Sequence, residues 1–104
     1  MISLSNKVLN FMKKREFTGI VLNQEIKQFG WAGCRPIIRG EFIKNEDEIE
    51  SSKREAYILE EIDGIKVFIP KNMGYDSKNK KIIITSNLMF FNMIILSIEM
   101  FEEY

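Results

Sequence analysis

Tyr57-Ile58-Leu59-Glu60-Glu61-Ile62-Asp63-Gly64-Ile65-Lys66-Val67-Phe68-Ile69-Pro70 reads as two strands joined by a two-residue turn. Asp-Gly accepts positive φ at both turn positions, which a tight antiparallel hairpin requires. Counting outward pairs Ile62 with Ile65, Glu61 with Lys66, Leu59 with Phe68 and Ile58 with Ile69. Opposite charges then meet near the turn, and large apolar side chains meet further down. Leu59 and Phe68 are expected to pack on one side, and Ile58, Ile62, Ile65, Val67 and Ile69 on the other. A hairpin apolar on both faces predicts cover on both sides and a place inside the sheet, away from an open edge.

Downstream, residues 71–81 form a polar connection, Ile82-Ile83-Ile84-Thr85 a further strand, and Met93 to Phe101 a last long strand with Ile94, Leu96, Ile98 and Met100 on one face. Upstream, Lys44-Asn45-Glu46-Asp47-Glu48-Ile49-Glu50-Ser51-Ser52-Lys53 is charged, with one apolar residue, and is expected to be a solvated, mobile loop. Pro36-Ile37-Ile38-Arg39-Gly40-Glu41-Phe42-Ile43 has a strand pattern in which Gly40 marks a bulge or a close backbone approach. Ile20-Val21-Leu22 is a short β-branched strand, broken by Gln28-Phe29-Gly30-Trp31-Ala32-Gly33-Cys34-Arg35-Pro36. At the N-terminal side, Ser5 can cap a helix that ends in Lys13, Lys14 and Arg15, with Leu4, Val8, Phe11 and Met12 on its packing face. The pattern predicts one α+β domain over residues 1–104, mostly β, with five to seven strands and one N-terminal helix.

Composition narrows the chemistry. The chain has 104 residues, 15 basic against 15 acidic side chains, one cysteine and no histidine. A balanced charge gives no overall basic field for a phosphate backbone, so no nucleic-acid partner is expected. Without histidine there is no Ser-His or Cys-His nucleophile pair, and one cysteine cannot supply a zinc site. No secretory signal opens the sequence, and a lone thiol suits a reducing compartment, so the expected location is the cytoplasm. The apolar run Leu88 to Ile98 is interrupted by Asn92 and Ser97 and falls well short of the roughly 20 residues that span a bilayer, so it reads as core and no membrane partner is expected.

The segment around Cys34 is the least generic. It gathers the one tryptophan, bracketed by Gly30 and Gly33, and the one cysteine, flanked by Gly33 and Arg35. Two glycines and Pro36 predict a defined turn, and a guanidinium beside a thiol favours the thiolate, the reactive and metal-binding form. Cys34 is therefore the candidate for metal or thiol chemistry, with Gly30, Trp31, Gly33 and Arg35 as the supporting loop. The bland readings stand beside this: free cysteine commonly packs as a small hydrophobe, and tryptophan commonly belongs to a core. Glu46, Asp47, Glu48 and Glu50 lack the spacing of a calcium loop, and the adjacent strand residues Glu60 and Glu61 point to opposite faces. No catalytic set emerges from the spacing, and a small enzyme with a substrate pocket ranks third, behind a thiol-based role at Cys34 and a non-catalytic interaction module.

The order of parts resembles the HesB/IscA-like family: a helix, a strand, the Ala32-Gly33-Cys34 loop, a strand, a polar insertion, then Asp63-Gly64 with Ile65-Lys66-Val67-Phe68-Ile69, and late strands. Within it, the chain looks like a small subgroup named for a Cys-Cys or Cys-selenocysteine motif in that loop. The resemblance spans about residues 3 to 101 and implies a compact, mostly β fold and, for A-type members, binding or transfer of iron or an iron-sulfur cluster. Those members pair the loop cysteine with a Cys-x-Cys near the C-terminus, whereas this chain ends Glu99-Met100-Phe101-Glu102-Glu103-Tyr104, and Gly33 and Arg35 flank Cys34. Cys34 alone carries over, so one chain has too few ligands for a cluster. Two readings follow: a HesB-like protein with a thiol-based or iron-related role at Cys34, and a non-catalytic interaction module or homodimer in which Cys34 is structural.

Overall fold

The computed structural model describes residues 1–28, 30–90 and 93–102, and of residues 87–90, 93 and 95 it describes the backbone. Two sheets share one core with the N-terminal helix. The first has the order β1 (Ile2–Leu4), β6 (Lys80–Phe90), β7 (Met93–Glu102), with β1 parallel to β6. The second runs β3 (Cys34–Ile43), β2 (Gly19–Gln28), β5 (Ile65–Pro70), β4 (Tyr57–Ile62), with β2 parallel to β5 and the other pairs antiparallel.

Helix α1 (Asn6–Arg15) starts where Ser5 Oγ accepts the Val8 N–H at 3.3 Å. It stops where Glu16 turns left-handed at φ 62° and the Phe17 N–H closes back on the Met12 carbonyl at 2.9 Å. Val8 and Met12 are fully buried against Ile20, Leu22, Val67, Ile69, Ile82 and Ile84. Ile94, Leu96, Ile98 and Met100 pack on the same core, as their alternation predicts, while residues 91 and 92 of the apolar run Leu88 to Ile98 lie outside the described residues.

The hairpin forms in the predicted register, with Asp63 at φ 51° and Gly64 at φ 79°. Its position differs from the expectation. β5 sits inside the sheet, but β4 is the margin strand, and Leu59 is 50% exposed while its partner Phe68 is 5% exposed. The cause is that β5 spends its second edge on β2, leaving β4 outermost, where Glu60 and Glu61 discourage further pairing.

The charged segment also departs from the reading. Residues 44–56 are folded: Asn45 and Glu48 form a capping box around a single turn, Glu46–Glu48, followed by the one-turn helix α2 (Ser51–Arg54). Its single apolar residue, Ile49, is buried with Val21, Ile43 and Phe68 in a second small cluster on the outer face of the four-stranded sheet. Gly40 is a close approach: a Cβ there would lie 2.8 Å from Ile98 Cδ1 and 2.9 Å from Leu96 Cδ1. The bulge is elsewhere, between Ser86 and Leu88.

Candidate functional site: a projecting arm with one thiol

The feature that sequence reasoning placed least well is the pairing of β2 with β3. The predicted break over residues 28–36 is narrower. β2 and β3 stay in register through ten pairs, from Gly19 with Ile43 to Gln28 with Cys34. Only Gly19, Ile20 and Val21 of β2 pair with β5. Beyond them the two strands continue as a two-stranded ribbon whose first pairs still pack on the core through Leu22 and Ile38, so the part clear of it, residues 25–28 with 34–37, is about 10 Å long at roughly 3.3 Å per residue. The Asn23 to Gln28 half carries a single apolar side chain, Ile26, so the alternation that reveals a half-buried strand is missing there.

The arm ends in a short connection in which Gly30 (φ 57°) and Gly33 (φ 95°) adopt the left-handed conformation and Gly30–Ala32 forms a single helical turn. Trp31 stands at this tip, fully exposed, and Ile26 is 77% exposed below it. Cys34 is exposed as well. Neither side chain is packed within this chain, Trp31 being fully exposed and Cys34 exposed. Cys34 and Arg35 also leave the loop, because they are the first two residues of β3.

Cross-strand pairing sorts the arm into two faces. Cys34 with Gln28, Pro36 with Ile26, and Ile38 with Gln24 share one face, which runs down into the main core. Arg35 with Lys27, Ile37 with Glu25, and Arg39 with Asn23 share the other. Adjacent strand residues alternate sides, so Arg35 is directed away from the face that carries the thiol. On the Arg35 face the Glu25 carboxylate meets Arg39 Nε at 2.9 Å.

At the base of that face lies a pocket of about 260 Å³, with an apolar floor from Val21, Ile43 and Ile49 and a rim that includes Glu41, Glu48, Glu50 and Lys53. Tyr57 donates a hydrogen bond to Asn23 Oδ1 at 2.8 Å across one end, and a second cavity of about 330 Å³ lined by Gln24, Lys71 and Asn72 opens on the far side of that bond. Sequence reading missed this basin, because its walls come from four separated segments. The segment over it is held by charge. The Lys66 ammonium pairs with Glu46, which holds the Glu46 carboxyl below the usual carboxylate range and the Lys66 ammonium above its ordinary value. Arg54 reaches Asp47 at 3.2 Å and donates from Nε to the Ile49 carbonyl at 3.1 Å.

An iron-sulfur cluster does not fit this donor set. The chain has one cysteine and no histidine, and among the described residues no group of three or more carboxylate or thiol ligands comes together. Clusters usually take four thiolates. Among the described residues no helix is long and apolar enough to cross a membrane.

No protein-family model matches the chain, and no curated protein matches it. As a fold it is similar to the crystal structure of Escherichia coli SufA, a protein involved in biosynthesis of iron-sulfur clusters, with a TM-score of 0.52 and 17% sequence identity. The likeness covers 94% of this chain and 78% of that one. The chain therefore has the mostly β, α+β fold of SufA, which is the HesB/IscA-like architecture that the order of its sequence elements implies.

Proposed function

We propose that this chain is a HesB/IscA-like protein acting through one thiol, Cys34, in an iron-sulfur-related setting and as the contributor of a single sulfur. The observation that carries this reading is the exposure of Cys34 at the outer end of β3. Fold likeness to SufA supports the setting, and the ligand count argues that the chain does not hold a cluster by itself. The chemistry left to such a thiol is exchange with a partner protein: the thiolate attacks a partner disulfide, one sulfur joins Cys34 in a mixed disulfide, and the other leaves as a thiolate. The proposed compartment is the cytoplasm, where an unpaired thiol persists.

The test has two readouts. Incubated with a small disulfide, the native protein should gain one adduct by mass, and Cys34→Ser should gain none. After anaerobic incubation with iron and sulfide and desalting, it should show no visible cluster band. A stable cluster spectrum on this chain alone would overturn the single-sulfur reading. A second reading, an interaction module, is favoured by the exposed Trp31 and Ile26, because large apolar side chains gathered on a projecting ribbon are characteristic of contact surfaces.

A further inference from the structure

We propose that the outer end of the β2–β3 ribbon seats on an anionic lipid bilayer, with the Trp31 indole at the headgroup level and Lys27 and Arg35 paired to anionic headgroups behind it. The expectation of no membrane partner concerns a segment that crosses the bilayer, and a tip that lies in the interface needs no such segment. This inference is independent of thiol chemistry.

Trp31 is fully exposed on its turn, and Ile26 is 77% exposed two rungs behind the last pair of the ribbon. In the rung between, Lys27 and Arg35 lie directly opposite each other on one face. Like charges so placed repel unless an anion answers them. They are the only charged side chains from residue 26 to residue 36, so this end carries +2 on a chain whose formal charge is zero. The next carboxylate along that face, Glu25, is already committed to Arg39 at 2.9 Å.

The shape of the tip favours a bilayer over a protein surface. An aromatic anchor in a protein interface is ringed by neighbouring contacts that keep water out. Gly30, Ala32 and Gly33 beside Trp31 offer no side chains for such a ring. A lipid interface closes around an inserted side chain by itself, and it favours tryptophan at the headgroup level, where the ring meets apolar chains and its N–H stays wet. The order of groups along the ribbon matches the layers of that interface: the indole foremost, then long basic side chains at the depth of the anionic headgroups. Interfacial insertion is about 5–10 Å deep, so a ribbon about 10 Å clear of the core lets the tip enter before the sheets meet the surface.

Trp31 is the one tryptophan of the chain, so its emission reports its own surroundings. Phosphatidylcholine vesicles containing about 30% phosphatidylserine should shift that emission to the blue, and lipid brominated on its acyl chains should quench it. A basic side chain at such a surface strengthens binding about fivefold, so two give about thirtyfold over pure phosphatidylcholine, a gain that should fade as salt is raised. Lys27→Gln with Arg35→Gln should lose that gain, and Trp31→Ala should lose most of its sedimentation with the vesicles, each with unchanged circular dichroism. Cys34→Ser should bind as the native chain does. On the native chain alone, the emission of a solvent-exposed indole in the presence of the anionic vesicles overturns the proposal. So does an equal shift on pure phosphatidylcholine, or an equal shift with polyglutamate, which would assign the tip to an acidic protein.

Discussion

Replacing Phe68 with Ala tests the packing of the second cluster. Phe68 is 5% exposed, lies against Val21, Ile43 and Ile49, and meets the Tyr57 ring edge-on at 6.4 Å between centroids. Phe→Ala in a core costs about 3–5 kcal/mol. This cluster is small and roofed by one segment, so the cavity can partly collapse and the lower end, about 3 kcal/mol, is expected. The edge-on ring pair makes up about 0.5–1.5 kcal/mol of that. For a domain of this size the loss lowers Tm by about 12–24 °C, at about 4–8 °C per kcal/mol. Leu59, opposite Phe68 in the ladder but half exposed, is the internal control, and Leu59→Ala should cost less than about 1 kcal/mol. Urea unfolding followed by circular dichroism, with m unchanged, gives both numbers. A Phe68→Ala loss below about 1 kcal/mol, or a Leu59→Ala loss equal to it, would refute the argument that residues 44–56 roof this face.

Three further outcomes follow from local geometry. Ser5→Ala removes the cap on α1 and should cost about 1 kcal/mol in the same unfolding assay, because the Val8 N–H loses its acceptor. Gly64→Ala puts a side chain at φ 79° in the hairpin turn, where nothing else crowds it, so the cost should be the backbone term alone, about 1 kcal/mol. The Glu46–Lys66 pair makes the 44–56 segment sensitive to pH at both ends. Glu46 is lowered, so its contribution is present above the ordinary carboxylate value and is lost as pH falls through the folded value; Lys66 is raised, so its contribution is lost as pH rises through its own folded value. Amide exchange at Ile49, corrected for intrinsic rates, should therefore quicken below the carboxylate range, and Lys66→Met should flatten that dependence.

The hairpin and the helix were legible because their signals are local. Asp63-Gly64 fixes a turn, the turn fixes a register, and Ser5 with the Leu4, Val8, Phe11, Met12 spacing fixes a helix face. The edge position of β4 was not legible, since which strand stands outermost depends on the parallel pairing of β2 with β5, and no residue in the hairpin encodes that. The arm escaped notice because a strand that buries nothing shows no alternation, and the 44–56 segment because its one anchor, Ile49, sits among charges that form its capping box and ion pairs. For the site, the residues around Cys34 were singled out by composition alone. Their geometry was not legible: the residues left open whether the indole and thiol pack or face solvent, and in the structure both are exposed while Arg35 belongs to the opposite face of the ribbon.

The central claim, that the fold presents Cys34 as an accessible thiol, is tested most directly by the rate at which the native protein reacts with an aromatic disulfide in the absence of denaturant. The account predicts that one full equivalent of thiol reacts in the folded state, at a rate within about tenfold of the unfolded chain, since access and not unfolding limits the reaction. A thiol that stays silent until the protein is unfolded would contradict it.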